Sequence, residues 1–401
     1  MLLIVGTEPM LTATLINIYK EMRNMINQSE KFSLKDHLFN AEKVEKMANE
    51  IAAVFGNFNK IVFVNNVLVE FPNLELKQRI SHITFCLKSY LPNDFEQALS
   101  IILEALPEPC NPRLTDNDFG DFIYAPYSNF VAIYGCKKEY LNLSLSALEQ
   151  ITKRFSAEDA IRFFINAFPD ATLLKMLEWS KNENYHVRRL ASEGSRPKLP
   201  WSQKINITPE DALPILDNLF SDSTRYVTRS VANHLNDIAK TNPQLVLETL
   251  AKWKKSNKQE ANEMDYIIRH SLRTLIKNGD SNALELIGIN QKPNIEMLFI
   301  SVSDSVEMNN YLHINFELIA KATTNLMIDY IIDFQNKKGE MNSSKVFKMK
   351  QVSLKKDEKI SIQKKHQFRQ FMTTRTLYPG KHQFSLQING QIVYQSSFEL
   401  A

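Results

Sequence analysis

Glycine is scarce, with 10 residues in 401. That is too few for a chain built mainly of tight hairpins, which need backbone at positive φ. No GxGxxG or GxxxxGK[ST] run occurs, so dinucleotide and nucleoside-triphosphate sites have no support. Cysteine is also rare. Cys86, Cys110 and Cys136 form no CxxC pair, which argues against a disulfide scaffold or a cysteine zinc site and favours a reducing compartment. His186, His234 and His270 lack HExxH spacing and no GxSxG elbow is present, so neither a metal nor a serine nucleophile is expected. Long apolar runs are missing too. The N-terminal MLLIVGTEPMLTATLINIY lacks a basic leader and is broken by Glu8, and no window reaches the roughly 18 uninterrupted apolar residues of a membrane span. The expected location is the cytoplasm, with no membrane partner. Neither sign of charge dominates: 48 Lys+Arg against 45 Asp+Glu give a net charge of +3, so binding to a polyanion must rest on where the cations sit.

What is present is a helical pattern. Between about Leu34 and Ile289 apolar residues recur at helical spacing in segments broken by short polar turns, such as Ala41–Phe55, Glu75–Tyr90, Phe95–Leu106 and Ala157–Phe168. A period is legible in this region. Val187-x-Arg189, Val227-x-Arg229 and Ile267-x-Arg269 are 40 residues apart. Each opens a helix that follows another helix, at Thr172–Trp179, Ala212–Phe220 and Gln244–Lys252. A two-helix unit of this length matches the HEAT class of repeat, in which each unit buries its apolar face by stacking on neighbours; the alternative is a non-repetitive bundle. After about Pro293 the pattern changes. Leu312, Ile314, Phe316 and Leu318 alternate as in a half-buried strand, and Asn389-Gly390 inside Phe384–Tyr394 is a type I′ hairpin signal. The expected architecture is therefore mainly α: a HEAT-like repeat α-solenoid over residues 31–292, followed by a small all-β immunoglobulin-like sandwich over residues 293–401. Lys337 to Lys381 holds 13 Lys+Arg against 3 Asp+Glu, which reads either as a solvated β surface or as a phosphate-facing patch.

The repeats also carry charge in register. Counting i, i+4 and i+8 from each arginine gives Arg189 and Glu193, then Arg229, Asn233 and Asp237, then Arg269, Arg273 and Lys277. Val227, Val231, Leu235 and Ile238 fall on the opposite, core-like face of the second helix. Any one Arg–acid pair is ordinarily a solvated ion pair. Three stripes on stacked helices would form one concave surface, where arginine forks suit phosphates and the acids among them suit stabilisation of a cation or activation of water. Arg196 and Lys198 in the following loop are counted with the phosphate contacts. That loop, Ser195–Pro200, is stiffened by two prolines and ends at Trp201, which reads equally as a core residue or as the wall of a nucleotide site.

At these residues the chain resembles the AlkC-type DNA alkylation repair glycosylases, relatives of the AlkD group. The matching runs are ITKRFSAEDAIRFF at Ile151–Phe164, HVRRLASEGSRPKLPW at His186–Trp201 and SVANHLNDIAK at Ser230–Lys240, with a looser FGDFIYAP at Phe119–Pro126. The similarity runs from roughly Phe32 to the C-terminus. It implies HEAT-like repeats, a C-terminal immunoglobulin-like domain, and hydrolysis of the N-glycosidic bond of alkylated bases, notably 3-methyladenine and 3-methylcytosine, in duplex DNA without base flipping. Carried over by motif, Asp237 would be the catalytic carboxylate, Glu193 and Glu158 further acids of the site, and Trp201 its aromatic wall. No cofactor and no lysine nucleophile are implied, and the expected form is a monomer on double-stranded DNA. Two features depart from the pattern. Thr228 replaces an expected basic residue, and residues 1–30 read as an extension or as sequence upstream of a start at Met10, Met22 or Met25. The competing function classes are a HEAT-type DNA-binding scaffold and a lesion sensor without chemistry.

Overall fold

The computed structural model describes residues 33–111, 120–370, 372 and 375–401. The proposed extension at 1–30 and Phe119 of the FGDFIYAP run lie outside them. The chain divides into two compact units, one running to Ile238 and including Lys258–Glu260, the other holding Ala239–Asn257 and Ala261–Ala401.

The first unit is helical. Its described helices are α1 (Leu34–Leu38), α2 (Ala41–Val54), α3 (Lys60–Glu70), α4 (Leu76–Tyr90), α5 (Phe95–Glu104), α6 (Ala125–Gly135), α7 (Leu141–Thr152), α8 (Ile161–Ala167), α9 (Pro169–Trp179), α10 (Tyr185–Gly194), α11 (Pro209–Leu219) and α12 (Arg225–Ile238). Side-chain caps set several of the starts. Asn184 accepts from the His186 amide at the head of α10, and Thr208 with Asp211 forms a capping box at α11, where Pro209 occupies the first turn. The paired helices α9–α10 and α11–α12 are the repeats read from the 40-residue spacing. Val187 and Val227, their marker residues, are both fully buried. Helices α10 and α12 pack directly on each other.

Helix α12 follows its pattern and exceeds it. Val227, Val231, Leu235 and Ile238 are all at 0 % exposure, as their periodicity predicts. Yet Thr228, Ser230, His234, Asn236 and Asp237 are buried as well, so the helix is enclosed on most of its circumference. Buried polar groups need partners, and this helix carries five of them. One expected helix is shorter than its pattern. Residues 158–160 form a turn, and the helix begins at Ile161 rather than Ala157. There the Ser156 hydroxyl bonds the Glu158 carboxylate at 2.8 Å, a local bond that competes with helical backbone pairing.

In the second unit, α13 (Pro243–Ser256), α14 (Ala261–Ser271), α15 (Arg273–Lys277) and α16 (Ser281–Leu286) precede eight strands among the described residues. The third repeat marker, Ile267, is fully buried in α14. The helix expected to carry Arg269, Arg273 and Lys277 on one face is interrupted at Leu272. Strands β1 (Ile295–Val302), β3 (Tyr311–Ala320) and β6 (Lys359–Gln367) form one antiparallel sheet in the order β1-β3-β6. The other sheet has the order β2-β8-β7-β4-β5, from β2 (Ser305–Val306), β4 (Thr324–Gln335), β5 (Met341–Leu354), β7 (Gly380–Ile388) and β8 (Gln391–Leu400). Leu312, Ile314, Phe316 and Leu318 of β3 meet Leu326, Ile328, Ile332, Phe384, Leu386 and Ile388 in one core, the two inner faces of a sandwich. Asn389 and Gly390 sit at φ 50° and 79° and link Ile388 to Gln391, which pair directly. That is the two-residue hairpin their dipeptide signals.

Candidate active site

The residues singled out in the first unit converge through a line of alternating charge. Glu158 accepts from Arg189 Nη1 at 2.8 Å, and Arg189 Nη2 lies 3.7 Å from Glu193 Oε1. Glu193 Oε1 in turn accepts from Arg196 Nη1 at 2.5 Å. The other side of the Arg196 fork donates to Asp237 Oδ2, from Nε at 3.0 Å and Nη2 at 2.8 Å. Three acids from three parts of the chain are thus spaced by two guanidiniums. Arg189, Glu193, Arg196 and Asp237 are buried and Glu158 is half-buried. Buried charges persist only when paired and hydrogen-bonded, and each of these is.

Glu193 is the most enclosed acid, 3 % exposed. Burial alone would push its carboxyl upward, but Arg196, Arg189 and the Ser230 hydroxyl outweigh burial and hold it at about 2. The Ser230 bond is 2.6 Å long, and Ser230 Oγ also lies 2.9 Å from Ser192 Oγ. One turn further along α12, His234 Nδ1 is 3.0 Å from the Ser192 carbonyl, which can only accept, so the imidazole donates there. Burial, with Arg196 nearby, lowers the His234 pKa to about 4, so the ring is neutral at physiological pH. Arg189 also stacks over Tyr226, 4.6 Å from its centroid.

The loop that carries Arg196 and Trp201 is anchored by a residue the sequence reading missed. Arg162 of α8, 1 % exposed, donates to the carbonyls of Gly194 at 3.0 Å, Arg196 at 2.8 Å and Gln203 at 2.6 Å. An arginine inside the apolar run Ile161–Ile165 is the sequence signal that marks it. Gly194 is the helix end read from sequence, and its role is close approach: a Cβ there would overlap Ile161 Cγ2. Gly120 is constrained twice, by a φ of 75° and by the Arg154 carbonyl where its Cβ would be. It bridges Phe155, so the described part of the FGDFIYAP run docks on the ITKRF run.

Trp201 differs from the other two tryptophans. Trp179 and Trp253 are core residues at 1 % exposure. Trp201 is half-buried, holds a φ of 68°, and its carbonyl accepts from Lys77 Nζ. It lines a hollow together with Glu158, Arg189 and Tyr226. Of the expected phosphate contacts in this unit, Lys198 is exposed and Arg229 and Asn233 are half-buried. Thr228 is fully buried, so that position faces inward. In the second unit Arg269 pairs with Asp265 at 2.7 Å, Arg273 donates to the His270 carbonyl, and Lys277 is exposed. Among the described residues no cluster of three or more His, Cys, Asp or Glu is placed to hold a metal, and no helix is long and apolar enough to cross a membrane.

The helical segment that carries this charge chain and the immunoglobulin-like sandwich are the two segments on which the comparisons bear. Residues 155–274 match the family model described as DNA alkylation repair enzyme. Residues 298–401 match the one described as the YhaZ C-terminal Ig-like domain. The chain is 32 % identical over 374 residues to YhaZ of Bacillus subtilis (strain 168), covering 90 % of this chain and 98 % of that one. It is 35 % identical to the Pseudomonas fluorescens alkylpurine DNA glycosylase AlkC, solved bound to DNA containing an abasic site analog. That likeness has a TM-score of 0.81 and covers 92 % of this chain and 100 % of that one. The chain belongs to the AlkC-type DNA alkylation repair family.

Proposed function

We propose that this protein is a monofunctional DNA glycosylase that hydrolyses the N-glycosidic bond of alkylated bases, 3-methyladenine and 3-methylcytosine, in duplex DNA without flipping the base. The observation that carries the reading is the Glu158–Arg189–Glu193–Arg196–Asp237 chain. An alkylated base of this kind is cationic, so its glycosidic bond is already weak. Departure of the neutral base leaves an oxocarbenium-like sugar, which a fixed carboxylate stabilises while orienting the attacking water. Asp237 takes that role. Its Oδ2 is clamped from two nitrogens of Arg196, which sets the carboxylate in place before substrate arrives. Glu193 keeps the Arg196 fork oriented, and Glu158 does the same for Arg189. In this reading the two arginines position acids, and DNA phosphates fall to Lys198, Arg229, Asn233, Arg269, Arg273, Lys277 and the basic sandwich. Trp201 supplies the wall beside the lesion. Base release leaves an abasic site, and the Pseudomonas relative was solved bound to DNA containing an abasic site analog.

The test is base release from methylated duplex DNA, resolved by chromatography, with the strands analysed for nicks. Release of methylated bases with intact abasic strands is expected. Nicked product would refute a monofunctional enzyme. Tight binding with no released base would leave a DNA-binding scaffold or lesion sensor.

A further inference from the structure

A hollow of about 360 Å³ opens beside Glu158 and Trp201 in the helical unit. Its walls are mainly aromatic and aliphatic: Phe122, Phe155 and Phe163 with Leu76, Ile80 and Ile133. The two acids in its wall are both paired, Glu158 with Arg189 at 2.8 Å and Asp159 with Lys77 at 3.4 Å. Ile133, on its lip, is 51 % exposed, although burial would stabilise a side chain of that size. The amide nitrogen of Gln203, another wall residue, is buried without a hydrogen-bond partner. The volume lies within the range of about 300–1,000 Å³ usual for small-molecule pockets, far more than one methyl group occupies. Apolar concavities left open beside functional groups are characteristic of ligand sites.

We propose that this hollow is a substituent pocket, and that the substrate class extends to bases alkylated with apolar or aromatic groups larger than methyl. The proposal rests on the glycosylase reading and specifies what that site accepts. Glu158, Arg189, Tyr226 and Trp201 line the hollow, whereas Glu193, Arg196 and Asp237 do not, so a substituent on a base held against Trp201 enters it without displacing Asp237. Its paired charges and aromatic walls suit a benzyl-type group and give no advantage to a charged one.

The experiment uses the full chain on two duplex preparations, one treated with a methylating reagent and one with a benzylating reagent, with released bases separated by chromatography. Two variants, Ser81→Trp and Ile133→Asp, alter the hollow at exposed positions, the first by filling it and the second by placing a charge on its lip. Wild type is expected to release both kinds of base. Each variant should keep methylbase release within about twofold and lose benzylbase release by about tenfold or more, a discrimination of the size apolar pockets supply. Release of methylated but not benzylated bases by wild type overturns the pocket and leaves the glycosylase standing. Equal effects on both substrates in the two variants also overturn it. Release of neither kind by wild type removes the glycosylase reading and the pocket with it.

Discussion

Replacing Arg196 by methionine separates two roles an arginine can have at this site. Arg196 is 9 % exposed and makes three bonds to acids, at 2.5 Å to Glu193 and at 3.0 and 2.8 Å to Asp237. Removing one partner of a buried charged pair costs about 3–5 kcal/mol, because the other charge remains buried. Glu193 keeps the Ser230 hydroxyl at 2.6 Å and Arg189 at 3.7 Å, which places the expected loss near the lower end, about 3 kcal/mol. The assay is urea denaturation followed by helical circular dichroism, paired with DNA affinity as a function of salt. A positioning arginine lowers stability and excision while leaving the salt slope unchanged. A phosphate-binding arginine would cost little stability and reduce the slope by about 0.9. A loss below about 1 kcal/mol together with a shallower slope refutes the positioning role.

Other expectations follow from the same geometry. Acid should weaken the helical unit in two stages. His234, lowered by burial to about 4 from an ordinary 6.5, favours the unfolded state as pH falls through that window. Glu193, held at about 2 against an ordinary 4.5, contributes stability that is complete above 4.5 and lost as pH falls through 2. Each is worth about 3 kcal/mol, and His234→Gln should flatten the upper stage in a urea-midpoint-against-pH curve. In the sandwich, Lys348 and Lys350 are exposed on β5. Changing both to glutamine should weaken binding to any DNA sequence and lower the salt slope by up to about 1.8; an unchanged slope would remove this strand from the interface.

Much of the fold was legible because its signals are local. Val227, Val231, Leu235 and Ile238 declare a buried helix face by spacing alone, Leu312 to Leu318 declare a strand, and Asn389-Gly390 declares a hairpin. At the site, motif and spacing singled out Glu158, Glu193, Trp201 and Asp237, and the helices that carry Glu193 and Asp237, α10 and α12, pack directly on each other. What spacing could not convey is what each side chain faces. Arg189 and Arg196 read as outward forks, yet besides the nearby Glu193 each meets one acid from a distant segment, Glu158 or Asp237. Arg162 reaches carbonyls 32 to 41 residues away, and Lys77 reaches the Trp201 carbonyl from 124 residues away. Such contacts arise from stacking of repeats, which no window along the chain contains. The turn at Glu158 escaped for a smaller reason: its apolar pattern is helical, and one serine–carboxylate bond overrides it.

On the proposed reading, Asp237 stabilises the departing-base transition state. The most direct test of that role is single-turnover excision of 3-methyladenine by wild type and Asp237→Asn, with DNA affinity measured in parallel. The substitution keeps the shape and removes the charge, so excision should fall at least about tenfold, or about 1.4 kcal/mol of barrier, with affinity equal or tighter. Near-normal excision by Asp237→Asn would contradict the account and take this carboxylate out of the mechanism.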